Sequence, residues 1–409
     1  MVFSQAYKSQ IGKPDAKLAM GLLFRMSNFV RARTPNYRGT FAVFRVFMLI
    51  CGVNFFDEDF MVGPVNMFRF VGPMLTGYYS LVACLIHLIR YLGDTDVTIL
   101  SLAAFFAAFE VLIKVGGMAL KRKLGARLMN TILEDRSYED GEVERFTFLK
   151  YHTLARKLMY ITIISYPFTA LMLLSYPVLV GKLDEYVLPV GYSIPFINYK
   201  QHPWYTINYL ITIVQMAWCT LAFIGCDGPF YLYVCYSSCK LEILKSYTEK
   251  IGETNDIEEQ RTLMRKIIEI HTQVLEFLRD CSNFYNEIYL TQVLFSIAHI
   301  CVSLFHVQLK WKNSSYGMLA TNVAKMWIFC YCGELVVTKS NELSEAMYTN
   351  RWYQLWSKKD LKVIQFMLAN AHRNVGFSFG GFGFLSYDAF AEIMKTAYSC
   401  NAFLHNMMN

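Results

Sequence analysis

The sequence predicts an all-α membrane protein with seven transmembrane helices, a cytosolic N-terminus, an extracellular C-terminus, and long cytosolic helical extensions that form an anchor domain. Three observations carry this expectation. Only 17% of the 409 residues are charged and 55% are hydrophobic, whereas a soluble domain carries about 25% charged residues. The apolar residues arrive in blocks near the ~20 residues that a helix needs to cross lipid, not in amphipathic stripes. Lys and Arg are sorted into alternate connections between those blocks.

In chain order the seven stretches are Phe70–Leu92, Asp96–Met118, Lys157–Val180, Ile207–Cys226, Glu287–Val307, Gly317–Val337 and Phe384–His405. Before them, Phe41–Phe56 is apolar but short and broken by Arg45. It fits a helix lying in the interface or packed beneath the bundle. The first thirty residues carry Lys8, Lys13, Lys17 and Arg25 with no apolar core or small-residue cleavage site. The first span is therefore expected to act as the signal anchor.

Nine Lys and Arg precede the first span, nine lie in the 121–157 connection, seven in 240–279 and six in 339–373. The opposite connections hold five: Arg90, Lys182, Lys200, Lys310 and Lys312. The positive-inside rule puts the N-terminus in the cytosol, and an odd number of crossings puts the C-terminus outside. The net charge of +7 thus belongs to the cytosolic edge, and nucleic acid is not an expected partner. The acceptor sequence Asn313-Ser314-Ser315 falls in a connection predicted to be external, which makes Asn313 a candidate glycosylation site. The eleven cysteines fall in or near spans or on cytosolic segments and read as small buried apolar groups, not as a disulfide framework.

This divides the chain into a cytosolic N-terminal segment with the interfacial helix (1–69), spans one to four with an external lid (70–240), and a cytosolic anchor helix (241–286). Spans five and six (287–338), a second anchor segment (339–383) and the last helix (384–409) follow. In the anchor helix Leu263, Ile267, Ile270, Val274 and Phe277 step by 4, 3, 4 and 3, a heptad seam that packs on its own subunit or joins subunits. The external connection Gly181–Trp204 holds Pro189, Pro195 and Pro203 with Tyr192, Phe196 and Tyr199, which suggests a compact, ordered lid.

No phosphate-binding loop, zinc-protease helix, nucleophile elbow, paired Cys-x-x-Cys or dinucleotide fingerprint is present, so neither an enzyme nor a cofactor is expected. The run Ser378-Phe-Gly-Gly-Phe-Gly383 reads as a flexible turn into the last span. Ionisable residues inside spans draw attention because lipid makes them costly. Glu110 and Lys114 are spaced for an i,i+4 pair, with Lys114 near enough to the cytosolic end to snorkel. Asp227 and Glu334 are expected to accept structural hydrogen bonds. Lys325, mid-span, lines a polar cavity or pairs with a carboxylate.

The last span is polar, with Glu392, Thr396, Ser399, Phe403 and Asn406 stepping by 4, 3, 4 and 3 along one face. Such a stripe marks a water-filled path, a subunit contact, or a helix buried among the other six. Phe403 and Met407 near its outer end could close a path by dewetting. Spans two to four are rich in large apolar groups: Phe105 and Phe106, then Phe168, Met172 and Tyr176, then Tyr209, Ile213 and Met216. Helix packing or a small apolar pocket gives the same pattern.

The string Phe329-Cys-Tyr-Cys-Gly-Glu334, followed by Ser340, Glu345-Ala-Met-Tyr348, Trp352-Tyr353, Ala371-His-Arg373, Phe384, Phe390 and Thr396-Ala-Tyr-Ser399, resembles the signature of insect odorant receptors. That resemblance implies an odorant-gated, non-selective cation channel subunit in the plasma membrane of olfactory neuron dendrites. It implies four subunits around a pore lined by the last helix, joined by cytosolic helices, with a shared co-receptor in the assembly. By alignment, Phe403, Asn406 and Met407 fall at the constriction, where the family usually has aliphatic residues. The family's pocket for volatile, largely apolar ligands lies between spans two and six in the outer leaflet. This selects the large apolar groups named above and adds Thr321, Asn322 and Lys325. The short connection between spans four and five implies the ligand-tuned subunit, because the co-receptor carries a long insertion there. Gustatory receptors share the fold, but this chain has Ala397-Tyr398 without their Gln-Phe ending. A G-protein-coupled receptor would need an external N-terminus and motifs that are absent, and a transporter would show internal repeats.

Overall fold

The structure, a computed structural model, describes residues 37–50, 64–179, 186–253, 256–309, 315–354, 357–372 and 375–408. Asn313, the N-terminal segment before Tyr37 and the end of the expected interfacial stretch from Cys51 onward lie outside the described residues. Among the described residues the chain is helical: α1 (Tyr37–Ile50), α2 (Pro64–Arg90), α3 (Thr95–Leu120), α4 (Arg122–Glu134), α5 (Glu142–Leu179), α6 (Trp204–Glu249), α7 (Ile257–Leu309), α8 (Ser315–Thr349), α9 (Lys358–Ala371) and α10 (Tyr387–Met408). Seven of these, α2, α3, α5, α6, α7, α8 and α10, have 22 to 53 residues and coincide with the seven expected spans. Five are long and apolar enough to cross a membrane by length and composition alone. The other two, α8 and α10, are long enough but carry more polar groups.

Helix length explains the anchor. The 46 residues of α6 rise about 69 Å, more than twice the hydrocarbon thickness of a bilayer. The 53 residues of α7 rise about 80 Å. Helices run unbroken through positions 240, 286 and 338, so span and extension are single rods. Water-side ion pairs tie these rods together. Glu242 on α6 takes Lys150 of α5 at 2.6 Å and Lys339 of α8 at 3.3 Å, and Tyr151 donates to it at 2.7 Å. Burial works against ionisation of Glu242, yet the Lys150 and Tyr151 hydrogen bonds hold its carboxyl below the usual range.

The core centres on α6, where every residue from Ile224 to Leu241 is buried. Phe230 stacks on Phe329 of α8 at 5.1 Å and meets Tyr289 of α7 edge-on at 4.9 Å. Helix α1 packs against this post: Phe44 and Met48 are each 1% exposed. A Cβ at Gly228 would fall inside the Phe44 ring, so the close approach needs glycine there. The heptad seam of α7 turns inward, with Ile267, Val274 and Phe277 buried in the chain's own core.

The described part of the expected lid is compact. Tyr205 donates to the Val187 carbonyl at 2.8 Å, and Ile194 N–H to Asn208 Oδ1 at 2.9 Å. The glycine run forms a tight turn before α10, with Gly380 and Gly381 at φ 63° and 80°, a region that disfavours other residues. Of the ten described cysteines, all free, eight are buried and Cys400 is exposed.

Candidate ligand cavity and the last helix

Helix α3 makes room. Ala103, Ala104, Ala107 and Ala108 replace large side chains on the face turned to α5 and α6, and a cavity of about 170 Å³ opens there. Leu173 of α5, Met216 and Phe223 of α6 and Met318 of α8 add apolar wall, while Pro189, Val190 and Tyr192 of the lid cover it.

Its floor is ionic. Lys325 Nζ on α8 lies 3.0 Å from both carboxylate oxygens of Glu110 on α3. Lys114 Nζ lies 3.1 Å from Glu110 and 2.7 Å from Asp227 of α6. Tyr166 of α5 donates to the other Asp227 oxygen at 2.8 Å. Two ammoniums and two carboxylates balance, and the Phe223 ring lies 5.0 Å from Lys114 and 5.4 Å from Lys325. Lys114 does not snorkel: it is 1% exposed because both its partners sit inside the bundle. Lys325 pairs with a carboxylate, one of its two expectations, and the cavity it lines is largely apolar instead of the polar one expected.

Four residues expected at a pocket line this one: Met216, Thr321, Asn322 and Lys325. Thr321 is hydrogen-bonded to Thr169 across the wall at 2.7 Å. The others lie outside the lining. Phe105 packs toward Ala83, Cys84 and Tyr192, and Phe106 meets Phe295 and the edge of His299. Tyr209 donates to the Leu174 carbonyl and packs with Leu188, Tyr199 and Tyr205. Phe168, Met172 and Ile213 are exposed on the outer surface, and Tyr176 is half-buried. Sequence reasoning missed Gln215 and His299 in the lining, along with the alanines. The alanine pairs at i, i+1, i+4 and i+5 were the available signal.

Helix α10 has two unlike faces. Ile393, Ala397 and Asn401 are buried, with Asn401 donating to Gln308 of α7 at 3.3 Å. The stripe Glu392, Thr396, Ser399, Phe403 and Asn406 is exposed, Glu392 at 70% and Phe403 at 64%. Among the described residues Glu392 pairs only with Lys395 of its own helix, at 2.7 Å. The Met407 side chain lies outside the described residues. The N-terminal end of α10 is held by α8: Glu334 accepts the Tyr387 N–H at 3.1 Å. A Cβ at Gly333 would overlap the Leu385 backbone. Lys325 and Gly333 are eight residues apart, about 12 Å along one rod. Among the described residues no group of His, Cys, Asp and Glu could hold a metal ion.

A family model described as 7tm Odorant receptor matches residues 94–398. Odorant receptor 47a of Drosophila melanogaster is 23% identical over 206 residues, covering 47% of this chain and 53% of that receptor. Odorant receptor 10a of the same species is 24% identical over 240 residues, covering 54% and 57%. The matched region thus spans somewhat over half the length of these relatives. Among solved structures, the insect olfactory receptor OR5 from Machilis hrabei in complex with eugenol superposes with a TM-score of 0.76 at 13% identity, covering 89% of this chain and 97% of that one. At that identity the likeness shows the fold.

Proposed function

The chain belongs to the 7tm odorant receptor family, and from that premise we propose that it is the ligand-tuned subunit of an odorant-gated, non-selective cation channel. One observation carries the reading: a roofed apolar cavity and the anchorage of α10 share a single helix, α8. A volatile, largely apolar molecule binds in the cavity, gaining about 25 cal/mol per Å² of apolar surface removed from water. Its contact with α8 near Lys325 biases the rod whose Gly333 and Glu334 hold the start of α10. Opening requires tighter binding to the open arrangement, since equal affinity for both states shifts nothing.

In this reading α10 lines the pore, its exposed polar stripe faces permeating cations, and Phe403, Asn406 and Met407 form the constriction. The N-terminus is cytosolic and the C-terminus external, as the Lys and Arg distribution supports. The cytosolic extensions meet those of a co-receptor in a tetramer, at the plasma membrane of olfactory neuron dendrites. The connection 250–256 between α6 and α7 is short, which favours the tuned subunit. The eugenol complex of the OR5 relative supports a small-molecule site in this fold.

The test is co-expression with the co-receptor and recording of current evoked by esters, alcohols and aromatics. Current is expected, and Ala107→Phe, which fills the cavity, abolishes it while surface expression persists. Silence across the panel, or a normal response in Ala107→Phe, overturns the reading. Phe403→Ala is expected to raise unliganded current severalfold, and unchanged leak removes Phe403 from the gate.

A further inference from the structure

Most polar groups on the cavity wall are already engaged. Tyr166 is held by Asp227, Thr169 and Thr321 by each other, Asn322 by the Met318 carbonyl, Thr220 by the Met216 carbonyl and Ser80 by the Thr76 carbonyl. Two buried atoms are not: Gln215 Oε1 and His299 Nδ1 have no hydrogen-bond partner in the described chain. Their residues are 6% and 5% exposed, and both line the cavity. Buried polar atoms of folded proteins are nearly always satisfied, because an unmade bond forfeits the solvation it lost. In a lipid-embedded bundle bulk water is not at hand to supply the bond.

Gln215 Oε1 narrows the chemistry. An amide oxygen only accepts, so what satisfies it must bring an O–H or N–H. A hydrocarbon leaves it unmet, and so does an ether, ester or aldehyde, which offers acceptors alone. The apolar wall demands carbon on the rest of the molecule. The volume sets the size, since a cavity of ~150 Å³ takes a benzene-sized guest and this one holds about 170 Å³.

We infer that the ligand is a small alcohol or phenol, single-ring or comparably compact, whose hydroxyl donates to Gln215, with His299 as the other hydrogen-bonding contact open to it. This rests on the reading of the cavity as the odorant site. A pocket that holds a hydroxyl by hydrogen bonds discriminates against the analogue lacking it, whereas an apolar pocket barely does. Gln215 and His299 are then specificity residues, not supports of the fold.

The experiment uses the full chain with its co-receptor and matched probes: benzyl alcohol, benzaldehyde and ethylbenzene, then hexan-1-ol, hexanal and heptane. In each series the alcohol is expected to reach half-maximal current at a concentration at least about tenfold lower than the hydrocarbon, with the aldehyde closer to the hydrocarbon. Gln215→Met, which keeps volume and removes the acceptor, is expected to erase most of the alcohol's advantage while leaving the hydrocarbon response in place. His299→Phe is the second variant and narrows the same gap. Should hydrocarbons match alcohols on the native receptor, or Gln215→Met keep the full preference, the hydroxyl assignment is overturned and the channel reading stands. No current from any probe on a surface-expressed receptor sinks both.

Discussion

Helix α7 is one rod with two opposite interiors. In the half beyond the bilayer, its buried face carries Met264, Ile267, His271, Val274, Leu278 and Cys281, while Glu269, Gln273, Glu276 and Arg279 are exposed. The same stripe continues without a break in spacing through the membrane half as Tyr285, Tyr289, Gln292, Ser296, His299 and Ser303, each at most 5% exposed. There the exposed positions are Glu287, the first residue of the expected span, and Leu294, at 56%. Water sorts apolar groups inward because their hydration is costly. Lipid does no such sorting, since its tails are as apolar as leucine. Polar groups are the ones that cannot face it, so they turn in. The anchor half is therefore held by hydrophobic burial, and the membrane half by packing and by the ion cluster of Glu110, Lys114, Asp227 and Lys325.

The contrast breaks most severely at that cluster. Glu110→Leu leaves Lys325 without its carboxylate, and an unpaired buried charge costs about 3–5 kcal/mol. Loss of folded receptor at the cell surface and a lower unfolding temperature in detergent are expected, and Glu110→Leu with Lys325→Met should recover most of it. A double variant no better than the single one would mean the pair is not what the site depends on. In the anchor half, Ile267→Ala should cost about 2–4 kcal/mol through the cavity it leaves, read as the same loss of unfolding temperature with ligand-evoked gating intact.

Ser296 sharpens the comparison from the other side. Its hydroxyl is fully buried and has no partner in the described chain. Ser296→Ala removes a group whose desolvation is uncompensated, so stability should hold or rise by about 1 kcal/mol. A loss above that size would show that the hydroxyl is bonded after all, for instance through water.

The same asymmetry explains what could be read from the chain. Helix positions were legible because hydropathy reports contact with lipid, and apolar stretches marked even α8 and α10, which carry more polar groups than the other five. The inward face was not legible. Phe168, Met172 and Ile213 look like pocket residues, yet lipid tolerates them outside as readily as the core does inside, and that is where they lie. The partner of Lys325 was hidden for another reason. Glu110 is 215 residues away, and only the packing of both α3 and α8 on α6 and α7 brings them together. The cavity was written as missing bulk at Ala103, Ala104, Ala107 and Ala108, a signal that aromatic counting passes over.

The smallest expected effect returns to the anchor half, at the one polar member of its apolar stripe. Burial lowers the pKa of His271 below the usual 6.5, so the folded chain keeps this imidazole neutral while the unfolded chain takes up a proton. More protons on the unfolded side means that stability rises with pH. The contribution is complete above about pH 6.5 and is lost as pH falls from there toward the lower folded value. Between pH 7.5 and 6 the carboxylates with lowered pKa, Glu242 and Asp135 among them, stay ionised in both states and add no slope. His271→Leu should therefore flatten the fall in unfolding temperature over that window without changing ligand-evoked current. An identical slope in the variant would mean that His271 is solvated in the assembled receptor and that the apolar stripe ends one turn earlier than the fold suggests.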